Sequence, residues 1–289
     1  MTKAAFEPIN PDTNYSFAVR KFHQKEFTSP YHFHPEYELT LILEGEGNRY
    51  VGSDMSVYTP GDLVLLGKNL PHCWKTGSLV NNESNASSIV IQFTEDFLGS
   101  SFLSRPELST ILHLLKKSAH GIQFLSETAS KIKLRMVALL QEQDAFKKVI
   151  LLLEILYELS VTEEFQLLHQ KGIFPEESTI KQERIYKVLG YIVDNFKREV
   201  VLETASKIAN MSPNAFCKYY KKITGQTFMQ TVTDYRINYA MQQLIYSDKS
   251  ISAISFESGF GDVSQFYKLF KRKFKLSPLN YRKQFVKHI

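Results

Sequence analysis

Residues 202–225 read LETASKIANMSPNAFCKYYKKITG, and residues 250–278 read SISAISFESGFGDVSQFYKLFKRKFKLSP. Each stretch spells a short helix, a tight turn and a second helix. In the first, Ala205, Ile208 and Ala209 form an inner face, Asn210–Met211 is the turn, and Ser212 caps a helix opened by Pro213. Phe216, Tyr220 and Ile223 point inward, and Gly225 ends the helix. Asn214, Cys217, Lys218, Lys221 and Lys222 are left outward, a face able to reach base edges and phosphates. In the second, Ser250 caps a helix with Ile251, Ile254 and Ser255, and Gly259 supplies the turn. From about Asp262 a further helix buries Phe266, Leu269, Phe270 and Phe274 and leaves Ser264, Gln265, Tyr267, Lys268, Lys271 and Arg272 outward.

Between them, Phe228–Ser247 reads as one helix. About 20 residues at about 1.5 Å each span roughly 30 Å, close to the ~34 Å between successive major grooves on one face of DNA. Upstream, Ile185, Val188, Leu189, Ile192 and Phe196 recur at helical spacing. Charge agrees with a nucleic-acid partner. Residues 1–175 carry 16 Lys and Arg against 20 Asp and Glu, whereas residues 176–289 carry 19 against 10. The stretch from Lys268 to Lys287 is dense in cations and has no acid.

The residues from Glu183 to Phe285 resemble the AraC-type transcription regulators, on the stretches MSPNAFCKYYKKITGQTF and GFGDVSQFYKLFKRKF, on Arg236 and Ala240 of the connecting helix, and on SPLNYR. The resemblance implies two helix-turn-helix subdomains on a long helix, each laying a recognition helix in a major groove. It implies base contacts by Asn214, Cys217 and Lys218 and by Val263, Ser264, Gln265, Tyr267 and Lys268. Lys275 stands where that family often has glycine, a change at a helix end.

The front of the chain has another texture. Short strands are expected at Ser16–Lys21, Glu38–Glu44, Asn48–Val51, Asp62–Leu66 and Ser87–Phe93, broken at Gly45, Gly47 and Pro60–Gly61. Leu39, Leu41 and Leu43 alternate with Glu38, Thr40, Ile42 and Glu44. The segment YHFHPEYEL gives His32, His34 and Glu38, whose shared parity would set them on one face of an extended chain, and LPHCW adds His72 and Trp74. Three imidazoles and a carboxylate suit a first-row divalent metal. The spacing of His32, His34, Glu38 and Gly45, and of Gly61 and His72, resembles the two motifs of a cupin barrel. Departures are Glu26, Gly67, Asn69 and Thr76, where cupin enzymes favour Gly, Pro, Gly and Asn.

From about 105 to 170 the pattern is helical. The stretch Val149–Leu159 is apolar almost all round and so needs partners on more than one side. A second copy of the chain is one such partner, with Leu152 or Leu156 expected at the contact.

Other classes are excluded. Cys73 and Cys217 cannot make a disulfide scaffold or, alone, a structural zinc site. The start MTKAAFEPINPD lacks the layout of a secretion signal, and no apolar run is long enough to span a bilayer.

The expected fold is α+β and multidomain: a cupin-like effector-sensing barrel over 1–100, a helical dimerisation segment over 101–170, a linker over 171–182, and an all-α DNA-binding domain with two helix-turn-helix units over 183–289. The expected function is a cytoplasmic, non-enzymatic, homodimeric regulator that binds double-stranded promoter DNA sequence-specifically, with no membrane association. A small polar effector, a sugar being one candidate, is expected at His32, His34, Glu38, His72 and Trp74. DNA binding needs no cofactor, while His32, His34, Glu38 and His72 can hold a divalent transition metal. No further general acid or base accompanies the cluster in sequence, which argues against turnover.

Overall fold

The computed structural model describes residues 5–6, 15–52, 54–76, 85–168 and 179–286. The chain divides into two compact units, one of residues 5–52 and 57–172 and one essentially of residues 173–289.

The first unit holds β1 (Ala5–Phe6), β2 (Phe17–Gln24), β3 (His32–Phe33), β4 (Tyr37–Glu44), β5 (Gly47–Val51), β6 (Asp54–Tyr58), β7 (Leu63–Leu66), β8 (His72–Thr76) and β9 (Ala86–Phe93). After them come α1 (Ser109–Lys117), β10 (Ile122–Phe124), α2 (Ser126–Gln141), α3 (Ala145–Val161) and β11 (Phe165–Leu167). One sheet runs β1-β3-β8-β5-β6 and the other β11-β10-β7-β4-β9-β2. The five strands expected from alternation are present.

The alternating faces of β4 serve opposite purposes. Leu39 and Leu41 join Leu63, Leu65, Ile89 and Ile91 in a core completed by Ile111, Ile132, Met136, Ile155 and Leu159 of α1, α2 and α3. Glu38, Thr40 and Ile42 face the other way, into a pocket shared with Ser88, Val90 and Gln92 of β9. The helices therefore cover the leucine face, and the polar face is the barrel interior.

Two expectations need correction. The stretch from 105 to 170 is not wholly helical: β10 pairs with β7 through Ile122↔Leu65, and β11 pairs with β10 through Phe124↔Phe165. Three-residue strands fall below the length at which alternation can be read. In α3, Leu152 and Leu156 are fully buried in the unit's own core, so neither can meet a symmetry mate. The outward side carries Phe146, Ile150, Tyr157 and Val161 instead, at 73, 40, 55 and 54% exposure.

The expected linker at 171–182 lies outside the described residues up to 178, and its last residues open a helix. The second unit contains α4 (Thr179–Asn195), α5 (Leu202–Ile208), α6 (Pro213–Thr224), α7 (Phe228–Tyr246), α8 (Ile251–Glu257), α9 (Val263–Phe274) and α10 (Pro278–Val286). The stripe Ile185, Val188, Leu189, Ile192 and Phe196 is buried. Thr227 and Gln230 form a reciprocal capping box at the start of α7, which runs unbroken for 19 residues. Arg236 of α7 donates from Nε to the Phe196 carbonyl (2.7 Å) and from Nη2 to that of Arg198 (2.7 Å), just past the end of α4. Arg282 of α10 does the same at the end of α7, at the carbonyls of Leu244 in its last turn (3.2 Å) and of Lys249 just beyond it (2.7 Å). Carbonyls at helix ends are thus met by a guanidinium in each half. Gly259 has φ +88°, and a Cβ there would stand 2.4 Å from the Phe196 carbonyl oxygen, so this turn admits no side chain.

Candidate functional site

Both helix-turn-helix pairs form as the residue pattern requires. Ser212 accepts from the Ala215 N–H (3.5 Å) at the start of α6, and Asp262 accepts from Ser264 (2.9 Å) and Gln265 (3.2 Å) at the start of α9. Phe216 and Tyr220 are fully buried on one side of α6, as are Phe266 and Phe270 on one side of α9. That fixes which residues face water. Asn214, Cys217, Lys218, Lys221 and Lys222 are exposed on α6, as are Ser264, Gln265, Tyr267, Lys268, Lys271 and Arg272 on α9, while Val263 is half-buried. Burial thus separates the candidate contact residues from the core as the sequence implied.

Not every cation in the basic tail faces outward for a partner. Lys273 is held by Asp234 Oδ1 (3.0 Å) and Asn238 Oδ1 (2.9 Å) of α7, and Arg282 is committed to backbone carbonyls. The cations left on α9 are Lys268, Lys271 and Arg272, next to the hydrogen-bonding side chains of Ser264 and Gln265. Cations beside hydrogen-bonding groups on a solvent-facing helix can bind phosphates and read base edges together.

The second candidate site lies inside the barrel. His32, His34 and His72 each place one ring nitrogen within 4.8 Å of the others, and all three are buried. Their grouping does not follow from parity along one extended segment. β3 ends at Phe33 and the chain bends before β4 starts at Tyr37. His32 is the register partner of His72 in one sheet, whereas Glu38 pairs with Gln92 and Leu66 in the other. The site is therefore assembled from both sheets.

Hydrogen bonds set the tautomers. His32 Nδ1 is 2.8 Å from the Pro30 carbonyl and His72 Nδ1 is 2.7 Å from that of Leu70. A carbonyl only accepts, so each Nδ1 carries a proton, and Nε2 of the neutral His32 presents a lone pair. His72 Nε2 lies 3.6 Å from Glu38 Oε1 and has no hydrogen-bond partner among the described residues. With that ring neutral, a metal cation between the nitrogen and the buried carboxylate would satisfy both.

Ionisation divides the cluster. Burial and the neighbouring His72 push His32 down to about 3, so it is neutral and able to ligate. Burial also opposes charge on His34, but the Glu36 and Glu38 carboxylates on either side outweigh it and raise its pKa to about 9. Glu38 is fully buried, which opposes its charge, yet His72 and His34 hold it well below the usual carboxylate range. Its oxygens are engaged by Thr40 Oγ1 (2.6 Å), Gln92 Nε2 (2.7 Å) and His34 Nε2 (3.0 Å). The three imidazoles fit a borderline transition-metal ion once His34 gives up its proton and releases a carboxylate partner, since a bound imidazole is neutral, with Glu38 as a hydrogen-bonded anion beside them.

A pocket of about 100 Å³ opens onto this cluster. His32, Glu38 and Trp74 of the expected effector set line it, and His34 and His72 do not. Trp74 is 7% exposed, and its indole N–H has no acceptor among the described residues. The polar lining includes Gln24, Ser29, Thr40, Ser88 and Gln92, and no Lys or Arg lines the pocket among the described residues. Gln92, Ser88 and Glu36 were not anticipated from the sequence. Ser88 and Gln92 were legible as polar residues at one parity of the largely apolar β9, whereas Glu36 lies in a bend that carries no periodic signal. Asn69 adopts φ 57°, a left-handed backbone, so this departure from the cupin glycine keeps the conformation that a glycine there would permit. Gly67 is required because a Cβ would lie 2.7 Å from the Ala119 nitrogen.

Comparison with known proteins finds matches for both domains. A helix-turn-helix domain family matches residues 205–284, and a cupin domain family matches residues 18–79. The uncharacterized HTH-type transcriptional regulator YdeC of Bacillus subtilis (strain 168) is 23% identical over 266 residues, covering 88% of this chain and 86% of the relative. The HTH-type transcriptional activator RhaS of Yersinia pseudotuberculosis (serotype I) is 24% identical over 266 residues, covering 88% and 89%. The fatty-acid-bound structure of ToxT from Vibrio cholerae aligns over 92% of this chain and 94% of its own, with 16% identity and a TM-score of 0.37. No described helix is long and apolar enough to cross a membrane. With its tandem helix-turn-helix unit behind a cupin domain, the chain is a DNA-binding transcription regulator similar in its arrangement to the AraC-type family.

Proposed function

We propose that this regulator binds promoter DNA sequence-specifically as a homodimer and is controlled by a small, uncharged, hydroxyl-rich effector in the barrel pocket. The observation that carries this reading is the buried indole N–H of Trp74, which lines the pocket with no acceptor among the described residues. A buried donor is normally satisfied, and a ligand oxygen in the pocket would satisfy it. The other polar groups of the lining are mostly amides and hydroxyls, and a described lining without Lys or Arg disfavours an anionic effector. A sugar matches this lining, with its ring against Trp74, Phe22 and Phe27.

His32, His34 and His72 would hold a metal if one is bound, and it would supply a Lewis-acidic point for an effector oxygen. His32 reaches both the cluster and the pocket, so an effector oxygen and a metal could meet at that side chain. For dimerisation, the outward row Phe146, Ile150 and Tyr157 of α3, with Leu134 of α2 at 73% exposure, is the apolar surface for a second copy. Control requires only that the effector bind one arrangement of the dimer better than another.

Trp74 is the only tryptophan of the chain, so its emission reports on the pocket. Titrating the purified full chain with a panel of neutral sugars should shift or quench that emission for at least one of them. The same sugar should change affinity for a DNA fragment selected by the protein. A panel that leaves both emission and DNA affinity unchanged would contradict the reading.

A further inference from the structure

A second cavity, of about 140 Å³, lies between α1, the end of α3, β10 and β11, and shares no residue with the barrel pocket. Its wall is apolar. Leu114, Ile122 and Leu159 are at most 6% exposed, and Phe165 of β11 completes the lining. Its rim carries one Lys, Lys117. Lys117 and His113 stand on the same face of α1, one turn apart, with the hydroxyl-bearing Thr110 one turn earlier. Lys117 Nζ sits 4.5 Å from the centroid of the Phe165 ring. An ammonium group on a ring face at the mouth of an apolar cavity gains only modestly from the ring, and a carboxylate is a stronger partner. His113 Nδ1 is 2.7 Å from the Ser109 carbonyl, which leaves its Nε2 edge available at the rim.

We propose that this cavity is an accessory binding site for a small monocarboxylate with an apolar body. A cavity of about 150 Å³ lined by apolar side chains accepts benzene, so a body of about six carbons fits, with its carboxylate at Lys117. The Lys117 ammonium at the mouth favours a carboxylate over a neutral polyol, which separates the ligand class from that of the barrel pocket, whose described lining has no Lys or Arg. The position gives the site consequence. Leu159 and Ser160 lie on α3, the helix that carries the outward row Phe146, Ile150 and Tyr157, and Phe165 belongs to the last described strand of this unit. A ligand carboxylate that draws Lys117 away from Phe165 bears on both elements.

The test is calorimetric titration of the full chain with cyclohexanecarboxylate, with cyclohexylmethanol as the uncharged counterpart and acetate as the counterpart without a body. Cyclohexanecarboxylate should bind, and both counterparts should bind at least about tenfold more weakly, as removal of a charge-assisted hydrogen bond or of apolar burial requires. Lys117→Met should weaken cyclohexanecarboxylate by about tenfold or more, and Thr110→Trp, at an exposed rim position, should close the cavity and abolish binding. His72→Ala should leave this binding unchanged, which keeps the result independent of the barrel site. No binding by the parent chain at millimolar ligand, or binding that survives both Lys117→Met and Thr110→Trp in folded protein, overturns the proposal.

Discussion

Gly225 and Lys275 close the two outward-facing helices in the same left-handed conformation, with φ of 74° and 61°, and each donates its N–H to the carbonyl four residues earlier, Lys221 and Lys271. Only glycine adopts this backbone without steric cost. Lys275→Gly should therefore stabilise the second helix-turn-helix unit by about 1 kcal/mol, and Gly225→Ala should destabilise the first by a similar amount. Denaturant unfolding of the two variants against the parent checks both signs. A Lys275→Gly variant that is less stable would mean that the lysine side chain contributes more than the backbone costs.

Charged and polar residues on the outward faces should separate by role. Lys221→Ala and Arg272→Ala should weaken binding to all duplexes alike and make it less steep in salt, by about 0.9 in the logarithmic slope for each phosphate no longer neutralised. Affinities measured across a salt series give this slope directly. A variant that binds more weakly with an unchanged slope would place its side chain off the phosphates.

The outward row of α3 and its buried side should respond oppositely to charge. Tyr157→Asp should change folding stability by no more than about 0.5 kcal/mol and yet weaken self-association. Leu152→Asp, at a position with no exposure, should cost more than about 4 kcal/mol and unfold the unit before dimerisation can be asked about. Sedimentation of folded Tyr157→Asp and Ile150→Asp decides the matter, since dimers of parental strength in both would move the interface elsewhere.

In the barrel, His32→Ala and His72→Ala should each abolish uptake of one nickel or zinc ion per chain by stripped protein. Glu38→Gln should weaken uptake without abolishing it, because Thr40, Gln92 and His34 already occupy its oxygens. Elemental analysis after gel filtration reads all three. Equal loss in Glu38→Gln would make the carboxylate a direct ligand.

The residue pattern discloses much of this molecule, and the reasons for what it hides are physical. The buried side of α9 is legible because Phe266 and Phe270 repeat at helical spacing over a dozen residues. β3 holds only His32 and Phe33, too short for any period, so the meeting of His32 with His72 cannot be read from alternation. Residue type and spacing disclose the cluster, but shared parity does not explain it, because a bend separates His34 from β4. Leu152 and Leu156 show the limit of a helix apolar all round. Such a helix signals that two sides are covered, but not which side faces its own core. That depends on α1, α2 and the leucine face of the sheet, which come together only in three dimensions.

The central claim is that two helices on one chain read two successive segments of duplex. The 19 residues of α7 span about 28 Å at about 1.5 Å each, short of the ~34 Å groove repeat by less than the width of a helix. The most direct measurement is selection of bound duplexes from a random-sequence library, followed by affinity for every single base-pair substitution of the selected site. The expected result is two preference segments about 10 base pairs apart, with Gln265→Ala flattening one segment at a cost of about 1–3 kcal/mol and Asn214→Ala flattening the other. A single segment per chain, or a substitution profile untouched by both variants, would contradict it.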